Sequence, residues 1–311
     1  MITSIKYCSF AVLFCLCSCN NGNASHKESS VQQDTIKSFS LPPIPPMLTE
    51  PEQRADFLVK HYWDNVNFAD TNYIHHEDIT EQAWADYCDI LNHVPLPVAQ
   101  AAIQKTITLA EKEKKVYNYL TELADKYLYD PNSPMRNEEF YIPVLEAMVA
   151  SPILNETEKI RPKARLELAQ KNRKGTKALD FTYTLASGAQ STLYKIQADY
   201  TLIFINNPGC HACSEGIAAI KNSPVINQLI ADKKLKVLAF YPDEELAEWK
   251  KYQSEFPAEW INGYDKALTL KTENRYDLRA IPTLYLLDKN KMVILKDAPT
   301  PAIEEYLAIH P

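Results

Sequence analysis

Two thiols stand three positions apart in Asn207-Pro208-Gly209-Cys210-His211-Ala212-Cys213. This stretch lies between an apolar run that reads as a buried strand and a pattern that reads as a helix. At the start of a helix the Cys210 sulfur would sit beside unpaired amide N–H groups and the positive end of the macrodipole, which favour a thiolate. Cys213, one turn on, would share its face, lie deeper, and be able to close a disulfide ring after Cys210 has attacked a substrate. His211 could add positive charge beside the thiolate when protonated, or could be an exposed helix-start residue with no share in the chemistry.

A second candidate lies far downstream, where Arg279-Ala280-Ile281-Pro282-Thr283-Leu284 opens another apolar strand. Proline is tolerated at the first residue of a strand, so alone it says little. The elements between are of alternating type. Ala178–Leu185 alternates like a strand, Thr201–Ile205 and Leu235–Tyr241 are apolar strands of buried-sheet type, and Ser223-Pro224 is a cap and first turn of a helix. Thr283–Asp288 and Met292–Leu295 read as a hairpin, and a last helix runs from about Pro301 to His310. Strand, helix, strand, helix, hairpin and helix make an α/β plan over residues 172–311.

The Cys pair and the Ile-Pro-Thr strand together resemble the thioredoxin superfamily, over about residues 172–311. The stretch between Cys213 and Pro282 is longer than in thioredoxin itself and resembles the membrane-tethered periplasmic branch, which has an extra strand and helix. The resemblance implies a thioredoxin-like fold and thiol–disulfide oxidoreductase activity, with Cys210 as nucleophile and Cys213 as resolving thiol. It also implies a cis proline at Pro282, whose preceding residue Ile281 turns its backbone toward the sulfurs and can pair with a substrate strand. Substrates would be protein thiols or disulfides, with an envelope electron donor as second partner and no cofactor. Ile-Pro-Thr resembles the reducing members, so reductase or isomerase is expected over oxidase.

The chain departs from that pattern at three positions. Phe204 stands where thioredoxin has a buried acid, Gly209 replaces the Trp before the first Cys, and Glu215 is one residue short of the branch's usual acid. The proton acceptor for Cys213 is left open among Glu215, Asp243 and His211. Rival chemistries fit less well. A zinc site would need two more ligands and there is no second Cys pair. A thioredoxin-fold peroxidase would want Thr where Asn207 stands. An envelope binding module with a structural Cys210–Cys213 disulfide is the alternative.

The 311 residues are too long for one ordinary domain, and 46% hydrophobic with 23% charged residues is a globular composition. A net charge of -7 argues against nucleic acid as a partner, and only 6 Gly against 20 Pro leave no glycine-rich phosphate loop. From Thr49 to about Gln170 the apolar spacing is helical. Phe57, Leu58, His61, Tyr62 and Val66 begin it, Trp84, Tyr87, Cys88 and Leu91 continue it, and the whole predicts an all-helical domain of four to six helices over 47–171. This segment, with the Pro-rich run before it, resembles an uncharacterised domain that precedes thioredoxin-like domains in Bacteroidota lipoproteins. His75-His76-Glu77-Asp78 do not share a helix face as metal ligands would, and Asp78 with Glu81 reads as a capping box; no metal is expected. Cys88 reads as a small buried apolar residue.

Residues 1–18 combine one early charge, Lys6, with an apolar stretch too short to span a bilayer comfortably, and read as a secretory leader. Leu16 and Ser18 before Cys19 resemble a bacterial lipobox, which implies that Cys19 becomes a lipidated N-terminus. Residues 19–46, polar and then Pro-rich, read as a tether. The expected location is the periplasm-facing cell envelope, with the outer membrane the preferred site of attachment. Cys8, Cys15 and Cys17 leave with the leader and Cys19 is consumed by the anchor, so only Cys88, Cys210 and Cys213 remain as thiols, and a dense disulfide framework is excluded. Cys19→Ala is expected to leave the precursor unlipidated and to move it out of the membrane fraction. Fatty-acid labelling with fractionation checks this, and continued labelling would contradict the lipobox reading.

Overall fold

The computed structural model describes residues 38–74 and 76–310. The leader, Cys19, the first part of the tether and His75 lie outside the described residues. Six helices come first: α1 (Pro51–His61), α2 (Gln82–Ile90), α3 (Leu96–Ala110), α4 (Lys114–Ala124), α5 (Glu138–Ala150) and α6 (Glu156–Ala169).

Local chemistry sets their ends. Pro95 precedes α3 and Pro97 lies in its first turn, where a missing N–H costs nothing. Asn137 caps α5, and Asn155 with Glu158 forms a full capping box on α6, an arrangement worth about 1 kcal/mol. Pro143 sits inside α5, so the carbonyl of Glu139 four residues earlier loses its helical donor. The Gln100 side chain of α3 supplies one instead, donating to that carbonyl at 3.0 Å. Tyr62, Trp63, Trp84 and Tyr87 pack ring against ring at the centre of this layer, and Cys88 is buried among its apolar residues.

The proposed capping box at Asp78 is not formed. A π-helical turn already spans Glu77–Glu81 and runs into α2, and the Glu81 carboxylate accepts from Lys126 at 2.5 Å and from the Tyr127 hydroxyl at 2.8 Å. A charge partner outcompetes the orphan amide the box would have satisfied. The tether is also shorter than residues 19–46. Phe39 stacks on Tyr62 at 5.2 Å, and Asn65 donates to the Ser40 carbonyl at 3.0 Å, so the chain is pinned to the helical layer from there on.

The second half is a seven-stranded sheet between helices. Its strands are β1 (Thr182–Leu185), β2 (Gln190–Thr192), β3 (Tyr200–Ile205), β4 (Leu235–Tyr241), β5 (Ile261–Tyr264), β6 (Thr283–Asp288) and β7 (Val293–Lys296). The helices are α7 (His211–Asn222), α8 (Pro224–Ala231), α9 (Leu246–Lys251), α10 (Thr269–Thr272) and α11 (Thr300–Ile309). The strand order is β2-β1-β5-β4-β3-β6-β7. β4 runs parallel to β3 and β5, while β6 lies antiparallel to β3. The extra stretch between Cys213 and Pro282 is spent on α9, β5 and α10, and the central strand β3 is buried from Thr201 onward.

Only the second half of the Ala178–Leu185 run is strand. Asp180 bends the chain, its carboxylate accepting from the amides of Phe181 and Tyr194 at 3.0 Å each, and Ala178 bonds instead to the Lys291 carbonyl at 2.9 Å. The bend breaks the alternation: Ala178 and Phe181, three residues apart, are both buried, while Leu179 is exposed.

Candidate functional site

Alternation along β3 sends Leu202 and Phe204 into the core beneath α7, and Ile203 and Ile205 into the core on the other face. Beyond the strand, the buried Asn206 closes the end of the β3–β4 pair. Its side chain donates to the carbonyls of Phe204 at 3.0 Å and Phe240 at 3.3 Å. Gly209 then takes φ +72°, and a Cβ there would come within 3.1 Å of the Tyr252 hydroxyl. A Trp at this position, as in thioredoxin, would meet both penalties. The turn delivers Cys210 to the N-cap of α7.

There the Cys210 sulfur does what a Ser or Asp oxygen does at other caps: it accepts from the Cys213 amide, at 3.3 Å. On its other side the S–H reaches the Ile281 carbonyl at 3.7 Å, and the Ile281–Pro282 peptide is cis. Cys213 is only 3% exposed, among the apolar residues under α7, with the Asn207 amide donating to its sulfur at 3.5 Å. Burial, then the neighbouring Cys210, pushes its thiol up to about 12, while the Asn207 N–H pulls the other way. The pair is present as two free thiols. An accessible sulfur at a helix start, over a sulfur that keeps its proton, can attack a disulfide, and the second sulfur can then attack the first and displace the substrate.

Of the sequence candidates, Cys210, Cys213, Ile281 and Pro282 converge. His211 and Glu215 do not join them. Their side chains are 90% and 68% exposed and pair with each other at 3.5 Å on the outer face of α7. At that exposure the pair contributes little, and among the described residues neither side chain is hydrogen-bonded to a cysteine sulfur. Asp243 is held by Lys271 at 3.0 Å. None of the three is therefore positioned in the dithiol form to take the Cys213 proton. Cys88 is buried apart in the helical layer, its thiol likewise pushed up to about 12 by burial.

Two participants escape a reading of the sequence. Gly216, inside α7, would carry a Cβ 3.0 Å from the Phe204 ring and 3.9 Å from Pro282, so its bareness lets the helix settle onto the strand. A helix-interior glycine costs about 1 kcal/mol against Ala, and in a chain with 6 glycines that cost was the available signal. The other is Tyr129, from the turn after α4. The Arg279 guanidinium lies over its ring at 3.5 Å, is held by Asp277 at 2.5 Å, and donates to the Tyr129 carbonyl at 3.3 Å. Arg165, itself bonded to Asp125 and Tyr141, lies over the same ring at 4.0 Å. The helical layer thus grips the loop that carries Ile281 and Pro282.

Residues 16–172 match the family model described as Domain of unknown function (DUF5106). A crystal structure of a thioredoxin-like protein from Bacteroides caccae is 72% identical, covers 89% of this chain and all of its own, and superposes with a TM-score of 0.87. The C-terminal domain of an uncharacterized protein from Bacteroides fragilis is 67% identical over 44% of this chain and 98% of its own, with a TM-score of 0.44. A conserved protein of unknown function from Bacteroides fragilis is 38% identical over 43% of this chain and 98% of its own, with a TM-score of 0.43. No curated protein matches the chain.

The buried thiol gives the reduced protein a pH signature. Cys213 keeps its proton to about 12 when folded, whereas its ordinary value is 9.0. Between those values the folded chain holds more protons than the unfolded one, so this contribution is whole below the lower value and fades as pH rises. Under reductant, the melting temperature of the wild type is expected to fall more steeply than that of Cys213→Ser above about pH 9, in thermal denaturation at stepped pH. Parallel slopes would contradict the burial of a protonated thiol.

Proposed function

Because the chain belongs to the DUF5106 family, with a thioredoxin-superfamily domain following the all-helical one, we propose that it is a thiol–disulfide oxidoreductase working through Cys210 and Cys213. The observation that carries the reading is the Cys210 sulfur, held at the start of α7 by the Cys213 amide and faced by the Ile281 carbonyl.

In the reducing direction, Cys210 as thiolate attacks one sulfur of a substrate disulfide. The substrate S–S bond breaks, its other sulfur leaves with the electron pair and takes up a proton, and a Cys210–substrate mixed disulfide forms. Cys213 then gives up its proton and attacks the Cys210 sulfur. The mixed disulfide breaks, the second substrate thiol is released, and the protein is left with a Cys210–Cys213 disulfide. Two electrons have passed to the substrate, and a dithiol donor in the envelope returns two. Before the attack, the negative charge of the Cys210 thiolate meets the Cys213 amide and the N-terminal end of α7. Reductase or isomerase action is the preferred direction. The leader and Cys19 support a lipid-anchored, periplasm-facing location, most simply at the outer membrane.

Cys213→Ser is expected to accumulate mixed disulfides with partner proteins in cells that export it, seen as reductant-sensitive bands on non-reducing gels. Cys210→Ser is expected to accumulate none. A folded, exported Cys213→Ser variant without adducts would contradict turnover and leave a structural disulfide in a binding module.

A further inference from the structure

The grip of the helical layer on the Pro282 loop leaves an open cleft of about 670 Å³ between the two layers. One wall is helical-layer chain, with Tyr129, Pro131 and Pro134; the other is Gly216, Pro282 and Leu284. That volume is in the range of sites that enclose a ligand of several residues' bulk. It reaches Pro282, and the carbonyl preceding Pro282 is the one 3.7 Å from the Cys210 sulfur.

The charges along the cleft are largely matched to one another. Arg136 pairs with Asp297 at 2.7 Å, Arg279 with Asp277 at 2.5 Å, and Lys296 with Glu138. A charged ligand would have to break one of these partly buried pairs, leaving its mate uncompensated. Lys174 stands exposed at the edge. What the walls offer is proline rings, an aromatic ring and aliphatic carbon.

We propose that this cleft receives an uncharged, largely apolar stretch of the substrate polypeptide next to its disulfide, so that the helical layer forms one half of the substrate-binding site. The inference rests on the oxidoreductase reading above. It makes substrate choice a property of both layers: the cysteines supply the exchange, and the Tyr129–Pro134 wall selects proteins whose disulfide lies beside a flexible apolar segment.

The test separates chemistry from recognition. Full-length protein, reduced and freed of reductant, is mixed in single turnover with insulin and, separately, with the small disulfide 5,5′-dithiobis(2-nitrobenzoate). Pro134→Trp and Pro131→Trp each add bulk to the helical wall at an exposed turn position, away from the cysteines, and their melting transitions report folding. At least one folded variant is expected to lose about tenfold in its rate constant with insulin while staying within about twofold of wild type with the small disulfide. Equal losses with both disulfides, or an unchanged insulin rate in the folded variants, would overturn the inference. A wild type that reduces neither compound would remove the oxidoreductase reading instead, and the inference with it.

Discussion

The amide of Cys213 donates to the sulfur of Cys210 at 3.3 Å, and this bond fixes more of the structure than its strength suggests. It requires α7 to begin at His211, which requires the chain to turn sharply after β3, which in turn requires the positive φ that Gly209 supplies. It also requires α7 to lie close over the strand that delivered it. Phe204 fills the space beneath, fully buried, and Gly216 supplies the bare surface that meets it. Replacing thioredoxin's buried acid by an aromatic ring makes this a dry floor. The same dryness keeps the Cys213 proton in place, and none of Glu215, Asp243 and His211 is held close by to accept it.

The helical layer has its own aromatic core, yet it does not merely precede the sheet. Asn172 donates to the Arg275 carbonyl at 2.8 Å, Lys296 donates to the carbonyls of Ala169 and Lys171 at 3.2 and 2.7 Å, and Arg279 stacks on Tyr129 at 3.5 Å. Partly buried hydrogen bonds and cation–π contacts of this kind contribute modestly to stability, because desolvation of the charged groups offsets much of their attraction. Their effect is geometric: they hold the Pro282 loop and the helical turn at Tyr129 in one relative position, with the cleft between them.

Local patterns revealed what local forces decide. The convergence of Cys210, Cys213 and the Ile-Pro-Thr run was legible because two thiols one helical turn apart after a strand, and the loop that faces them, depend on short spacing and strand polarity, and the buried strands announced themselves by apolar runs. Ser223 was legible as a cap because capping is an affair of four residues; its side chain does accept from Ile226. Readings failed where a distant partner intervened. Glu81 left its capping box for Lys126 and Tyr127, Phe39 left the tether for Tyr62, and Asp180 bent a run that alternates like a strand. His211 and Glu215 were drawn in by proximity in sequence, but their helical positions turn them to solvent. The contact between Tyr129 and Arg279 spans 150 residues and carries no signature in either neighbourhood.

The central claim is that the chain presents one accessible sulfur backed by a shielded one. Brief treatment of the fully reduced protein with substoichiometric iodoacetamide, followed by peptide mass mapping of Cys88, Cys210 and Cys213, tests it most directly. The account predicts that the label falls almost wholly on Cys210, with Cys213 and Cys88 modified only after unfolding. Comparable labelling of Cys213 in the folded protein would contradict it.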